Sequence, residues 1–261
     1  MLFNSEAWYN LTEAELNLLE SVDLELLRGI LKTPKSTPKE MLFLELGIVP
    51  FREIIRQRRM GFLSYILKES KESMIHKFFE SQRRNRTSKD WVTTVLSDME
   101  ILKMEMNFED VRNMKKVHFM NKVKRKIQQK TLKDLEKVKE THSKVRKLKH
   151  PVLKMQNYLR PNNLKMKKDE SQEIFRLRSR STNLKINQKN KYETFECDAC
   201  TIEDESQEHI LVCKEILKMQ KNEHENEIPS YDRIFNGKVD RKRLLDHSVI
   251  IDKIRSKVKY T

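Results

Sequence analysis

Apolar residues recur every three or four positions through the first half of the chain, the repeat expected of helices with one buried side. Thr12-Glu13-Ala14-Glu15 is a capping box, in which a hydroxyl and a carboxylate exchange hydrogen bonds across a first helical turn. Behind it Leu16, Leu19, Val22, Leu26, Leu27, Ile30 and Leu31 follow the helical repeat, which predicts a helix from about residue 13 to 31. The prolines at 34 and 38 break it, and Thr37-Pro38-Lys39-Glu40 opens a short second helix that ends at Gly47. Pro50 starts a third. In it Phe51, Ile54, Ile55, Phe62, Leu63, Ile66 and Leu67 form an apolar stripe, with Arg52, Arg56, Arg58 and Arg59 on the other side. Met74, Ile75, Phe78 and Phe79 carry the pattern into a fourth helix. Ser88-Lys89-Asp90-Trp91 caps a fifth, whose inner face is Trp91, Val92, Val95, Leu96, Met99 and Leu102. Helical spacing alone accounts for these aromatic and methionine side chains as core, without a ligand.

The pattern persists beyond residue 106 but the polar positions change. Between 112 and 149 there are 15 Lys+Arg against 3 Asp+Glu, a surplus of +12, while Val117, Met120, Val123, Ile127, Leu132, Leu135, Val138 and Val145 keep a mostly helical spacing. This predicts one or two amphipathic helices with a dense basic face. His150-Pro151 ends them, and Tyr158 to Asn163 reads as a loop. A shorter helix from about Asp169 to Arg180 should bury Ile174, Phe175 and Leu177 and expose Arg176, Arg178 and Arg180. Polar residues 181 to 194 read as a linker. The last residues, with Arg241-Lys242-Arg243, Leu244, Leu245, Val249, Ile250 and Ile254, suit one more basic helix, and His224 and His247 read as surface residues.

Composition agrees with this. Only 4 glycines and 6 prolines punctuate 261 residues, and long straight side chains dominate, so the expected fold is all-α: a helical bundle with a long basic helix and a small C-terminal module stabilised by zinc. The expected segments are a bundle over 1–106, basic amphipathic helices over 107–150, a short helix and linker over 151–194, a zinc module over 195–222 and a basic tail over 223–261. The net charge of +15 points to a polyanionic partner, RNA or DNA before a membrane surface. No apolar run approaches the ~18 residues of a spanning helix, and the first residues lack the pattern of a secretory signal. The expected setting is intracellular, the nucleus included, where thiols stay reduced.

All three cysteines lie in one stretch, Cys197-Asp198-Ala199-Cys200 and, after eight residues, His209-Ile210-Leu211-Val212-Cys213. A two-residue gap lets both thiolates of a turn reach one metal, and a spacing of i to i+4 puts His209 and Cys213 on one side of a helix. Cys197, Cys200, His209 and Cys213 are therefore the expected zinc ligands. Five acidic residues and no Lys or Arg stand between Asp198 and Val212, so phosphate would be repelled there. The site reads as a staple for a segment too small to fold alone.

These residues bring a resemblance with them. The cysteine and histidine motif, with Glu203-Asp204-Glu205 inside it, resembles the zinc motif at the C-terminal end of reverse transcriptases of non-LTR (LINE-like) retrotransposons. Leu26-Leu27-Arg28, the run Thr37 to Gly47, Pro50, Arg58-Arg59 and Phe175 to Arg180 are similar to the helical region that follows the polymerase palm in those proteins. The likeness covers roughly residues 8 to 215. It implies thumb-like helices, RNA or DNA as partner, and a polymerase upstream of this piece. The family's catalytic aromatic-x-Asp-Asp turn, whose carboxylates hold two magnesium ions, has no counterpart, since the sequence contains no Asp-Asp pair.

The expected function is therefore a non-catalytic nucleic-acid-binding fragment of such a reverse transcriptase, truncated or domesticated. Lys115, Lys116, Lys122, Lys124, Arg125, Lys126 and Lys130 are its candidate backbone contacts. The alternative is a helical interaction protein whose basic face docks an acidic partner or a membrane surface.

Overall fold

A computed structural model describes residues 3–142, 145, 153–160, 168–182, 184–187 and 192–219. Among them are ten α-helices and no strand, as an all-α chain requires. The helices are α1 (Glu13–Leu31), α2 (Lys39–Leu46), α3 (Phe51–Ile66), α4 (Met74–Arg84), α5 (Trp91–Ile101), α6 (Phe108–Asn113), α7 (Lys116–Thr141), α8 (Lys168–Arg178), α9 (Gln207–Val212) and α10 (Lys214–Met219). The basic tail, with His224 and His247, lies outside the described residues. No described helix is long and apolar enough to cross a membrane.

The helix ends form where the caps predict them. Thr12 and Glu15 make the capping box, with the Glu15 N–H donating to Thr12 Oγ1 at 3.2 Å and the Thr12 N–H to the Glu15 carboxylate at 2.7 Å. Gly47 closes α2 at a φ of 66°, a left-handed backbone that a side chain would strain. Asp90 accepts from the Thr93 N–H at 2.6 Å and caps α5. Asn107 and Asp110 make a second capping box at α6.

The described residues fall into two compact units. The first comprises those up to 26, 47–141, and 153 and 154; the second takes 27–46, 142, 145 and 155–219. The first unit is built on α3, which packs along α7 closely enough that a Cβ on Gly61 would meet Met120 at 3.6 Å. Met60, Leu63, Trp91, Val95, Phe119 and Val123 are among its core. Two expectations change here. Phe119, not Val117, begins the buried row of α7, because the helix starts at Lys116 and leaves Val117 68% exposed in its first turn. The arginines of α3 are not all on a solvated side. Arg56 and Arg59 reach Asp98 at 2.8 and 2.7 Å, and Arg56 also reaches Glu53 at 2.6 Å, so that buried carboxylates hold both guanidinium groups.

On α1 the expected inner face is only partly covered. Leu31 is buried as its spacing predicts and Leu16, Leu19 and Leu27 are half-buried, but Val22, Leu26 and Ile30 are 41%, 59% and 52% exposed, and Leu24, outside that row, is buried.

In the second unit α2 is buried through Met41, Leu42, Phe43 and Leu44. Its Glu45 receives Nε and Nη2 of Arg178 at 2.9 Å and the Tyr158 hydroxyl at 2.5 Å. Arg178, expected in solvent, is buried for that reason, while Ile174, Phe175 and Leu177 pack inward as their spacing predicts. Burial and the Glu45 charge push the Tyr158 phenol well above its usual range, which keeps the donating proton in place. Gln207 Nε2 donates to the Leu177 carbonyl at 2.7 Å and ties α9 to the end of α8.

Candidate metal centre and basic helix

The cysteine stretch folds as a tight turn followed by a short helix. Glu196 and Asp204 pair in an isolated antiparallel bridge, and the Cys197 N–H donates to the Glu203 carbonyl at 2.7 Å. This pairing folds Cys197 and Cys200 back toward α9. Thr201 takes a φ of 57° to complete the turn, and its N–H donates to the Cys197 carbonyl at 2.8 Å. Ser206 caps α9 by accepting the His209 N–H at 3.0 Å. His209 thus sits in the first turn and Cys213 closes the helix end, its N–H on the His209 carbonyl at 2.7 Å. The helix stops at Val212, and α10 begins at Lys214.

Cys197, Cys200, His209 and Cys213 come together, with one potential ligand atom from each lying within 4.8 Å of all the others. A zinc tetrahedron of three thiolates and one imidazole has edges of about 3.5–3.8 Å. Cys200 Sγ and His209 Nε2 are already 3.3 Å apart, so small side-chain movements close the set around one ion. The four residues could hold a metal.

The surroundings suit thiolate ligands. Burial pushes the Cys197 thiol up to about 11, against the pull of the Ala199 and Cys200 N–H groups. At Cys200 the N–H groups of Ile202 and Glu203 bring the thiol down to about 7. Cys197 and Cys200 therefore differ in how readily they ionise, and a cation beside Cys197 would supply what burial withholds.

Sequence reasoning missed the partners of the ligands. His209 Nδ1 lies 2.9 Å from the Glu203 carboxylate, which leaves Nε2, the nitrogen beside Cys200, free for a metal. Glu203 was legible only as part of an acidic run that repels phosphate. Lys185, in the stretch expected as linker, reaches Asp198 at 2.5 Å and the Glu196 carbonyl at 2.9 Å. Leu184 beside it is fully buried with Cys197, Ile210, Cys213 and Ile216.

The other candidate residues are on or beside α7. Lys115, Lys116, Lys124 and Arg125 are exposed, and Lys122 and Lys126 are half-buried. None of the six makes an ion pair with a described residue. Lys130 differs. Its ammonium reaches Glu53 at 3.0 Å and Asp134 at 2.8 Å, and these carboxylates hold it in its charged form against burial.

Comparison with known proteins adds no family: no family model, no curated protein and no solved structure matches the chain.

Proposed function

We propose that the protein is a non-catalytic nucleic-acid-binding module, derived from a non-LTR reverse transcriptase, that grips the RNA or DNA backbone with α7 and uses zinc as a structural staple. The observation that carries the reading is the contrast between two basic helices of the first unit. Arg52, Arg56, Arg58 and Arg59 of α3 all pair with carboxylates, whereas Lys115, Lys116, Lys122, Lys124, Arg125 and Lys126 pair with no carboxylate among the described residues. Charge that the fold itself does not neutralise is what a phosphate backbone would neutralise, with release of its counterions. The resemblance in the cysteine motif and in Thr37 to Gly47 supports the origin. The absence of an Asp-Asp pair supports a role without nucleotidyl transfer.

Zinc is the ion that three thiolates and an imidazole favour, and four protein ligands leave no open position for substrate. Lys130 is left out of the proposed contact set, since Glu53 and Asp134 engage it.

The test is the salt dependence of binding to random duplex DNA and RNA. Six phosphate contacts give a log-log slope of about −4 to −6. Replacing Lys122, Lys124, Arg125 and Lys126 with glutamine should flatten that slope by about 3 to 4 and weaken binding to all sequences alike, because backbone contacts carry no base information. Glutamine keeps helix propensity, so the circular dichroism spectrum should hold. Unchanged affinity and slope in the folded variant would remove α7 as the contact and favour the interaction-protein alternative.

A further inference from the structure

The first unit carries a second group of cations that α7 does not account for. A cleft of about 560 Å³ opens where α4 and α6 approach, lined in part by Lys71, His76, Glu80, Arg83, Arg84 and Arg112. An adjoining depression of about 370 Å³ shares His76, Glu80, Arg83 and Arg112 with it. Arg83 is committed: it pairs with Glu80 at 3.1 Å and its guanidinium lies 5.8 Å above the Phe108 ring. Lys71, Arg84 and Arg112 make no ion pair with a described residue. His76 lines both depressions. It is 4% exposed, and its Nδ1 has no hydrogen-bond partner among the described residues.

We propose that this cleft is an anion site that takes a phosphoryl group, carried by a free nucleotide or by a nucleic-acid strand. Guanidinium groups offer planar forks that match phosphate oxygens, and here Arg84 and Arg112, without an ion pair among the described residues, line the same cleft as Lys71. The single carboxylate, Glu80, is already engaged by Arg83 and so opposes an anion less than a free one would. A cleft of this volume exceeds what a halide or a lone carboxylate would fill and suits a ligand of nucleotide size. The site shares no residue with the α7 contact set, so it stands or falls independently.

Calorimetric titration of the full chain with inorganic tripolyphosphate tests the chemistry directly. Saturable binding is expected. Arg84→Gln with Arg112→Gln should weaken it about tenfold or more, and Arg84→Lys with Arg112→Lys should restore part of the loss. Lys124→Gln with Arg125→Gln should leave it unchanged. Lys71→Gln, at an exposed position, should act in the same direction by a smaller factor and provides the reading if the double variant loses helicity. Competition then names the source: displacement by AMP alone assigns a free nucleotide, and displacement by oligothymidylate alone assigns a strand. No saturable binding at millimolar tripolyphosphate, equal binding to the double glutamine variant, or displacement by neither competitor would overturn the proposal.

Discussion

Two buried clusters, one in each unit, solve the same problem with different means. Around α3 and α7, fifteen described apolar residues are buried in one cluster, and the charges near them are paired carboxylate to guanidinium. Around the cysteines the corresponding cluster has five, and Cys197 and Cys213 among them are candidate ligands. Taking those two away leaves Leu184, Ile210 and Ile216, too little apolar surface to offset the ordering of some thirty residues. The first cluster holds by area. The second has in its place a cluster of four side chains, Cys197, Cys200, His209 and Cys213, that could hold a metal, and a bound ion would supply the folding free energy that so little apolar surface does not.

Metal removal should therefore give the largest effect and should confine it to one cluster. Chelation at neutral pH, or Cys200→Ser, should forfeit much of the ~10–16 kcal/mol that a structural zinc site contributes to local folding. Limited proteolysis should then cut between Leu184 and Cys213, while the fragment containing α3 to α7 stays resistant and helical. Resistance of the cysteine stretch in a protein shown to be metal-free would mean that its five buried residues suffice, and the comparison would collapse.

The converse perturbation strikes the ion pairs of the first cluster. Asp98→Ala leaves Arg56 and Arg59 facing each other without the carboxylate that joins them, and breaking such a buried set costs about 3–5 kcal/mol. Urea unfolding followed by helical circular dichroism should shift to lower denaturant by that amount, with the metal content unaltered. A shift below about 1 kcal/mol would place Asp98 with ordinary surface pairs.

What could be read from the sequence, and what could not, follows the same division between local and distant chemistry. The bounds of α1 and the glycine end of α2 rest on contacts within a few positions, and the four cysteine and histidine residues fall in one short stretch at ligand-like spacings, so spacing reveals them. Arg59 and Arg178 do not, because their partners Asp98 and Glu45 stand 39 and 133 positions away, and an arginine opposite an apolar stripe looks like a solvated one until its carboxylate is placed. Part of the α1 row misled for a related reason. Val22, Leu26 and Ile30 follow the helical repeat, but periodicity shows which residues share a face without showing that anything covers it. Glu203 was hidden by its neighbours, since nothing in Glu203-Asp204-Glu205 distinguishes the one carboxylate that meets His209.

That carboxylate gives the smallest effect and the sharpest test of whether the cysteine cluster is built around a metal. Glu203 accepts from His209 Nδ1 at 2.9 Å, which holds the ring with Nε2 3.3 Å from Cys200 Sγ. Its side chain is 67% exposed, so removing it disturbs little packing. Its backbone N–H, which helps lower the Cys200 thiol, survives any substitution except proline. Glu203→Ala should therefore weaken metal binding by about 10–100-fold, or ~1.4–2.7 kcal/mol, measured by competition with a chromophoric chelator. Glu203→Gln separates two contributions, because an amide oxygen can still accept from Nδ1–H but carries no charge. An affinity near wild type would assign the effect to orientation of the ring, and one near the alanine variant would assign it to charge. Unchanged affinity in both variants would make the Glu203–His209 contact an ordinary surface pair, and would leave the four ligands without the supporting carboxylate that distinguishes a metal centre from a chance meeting of side chains.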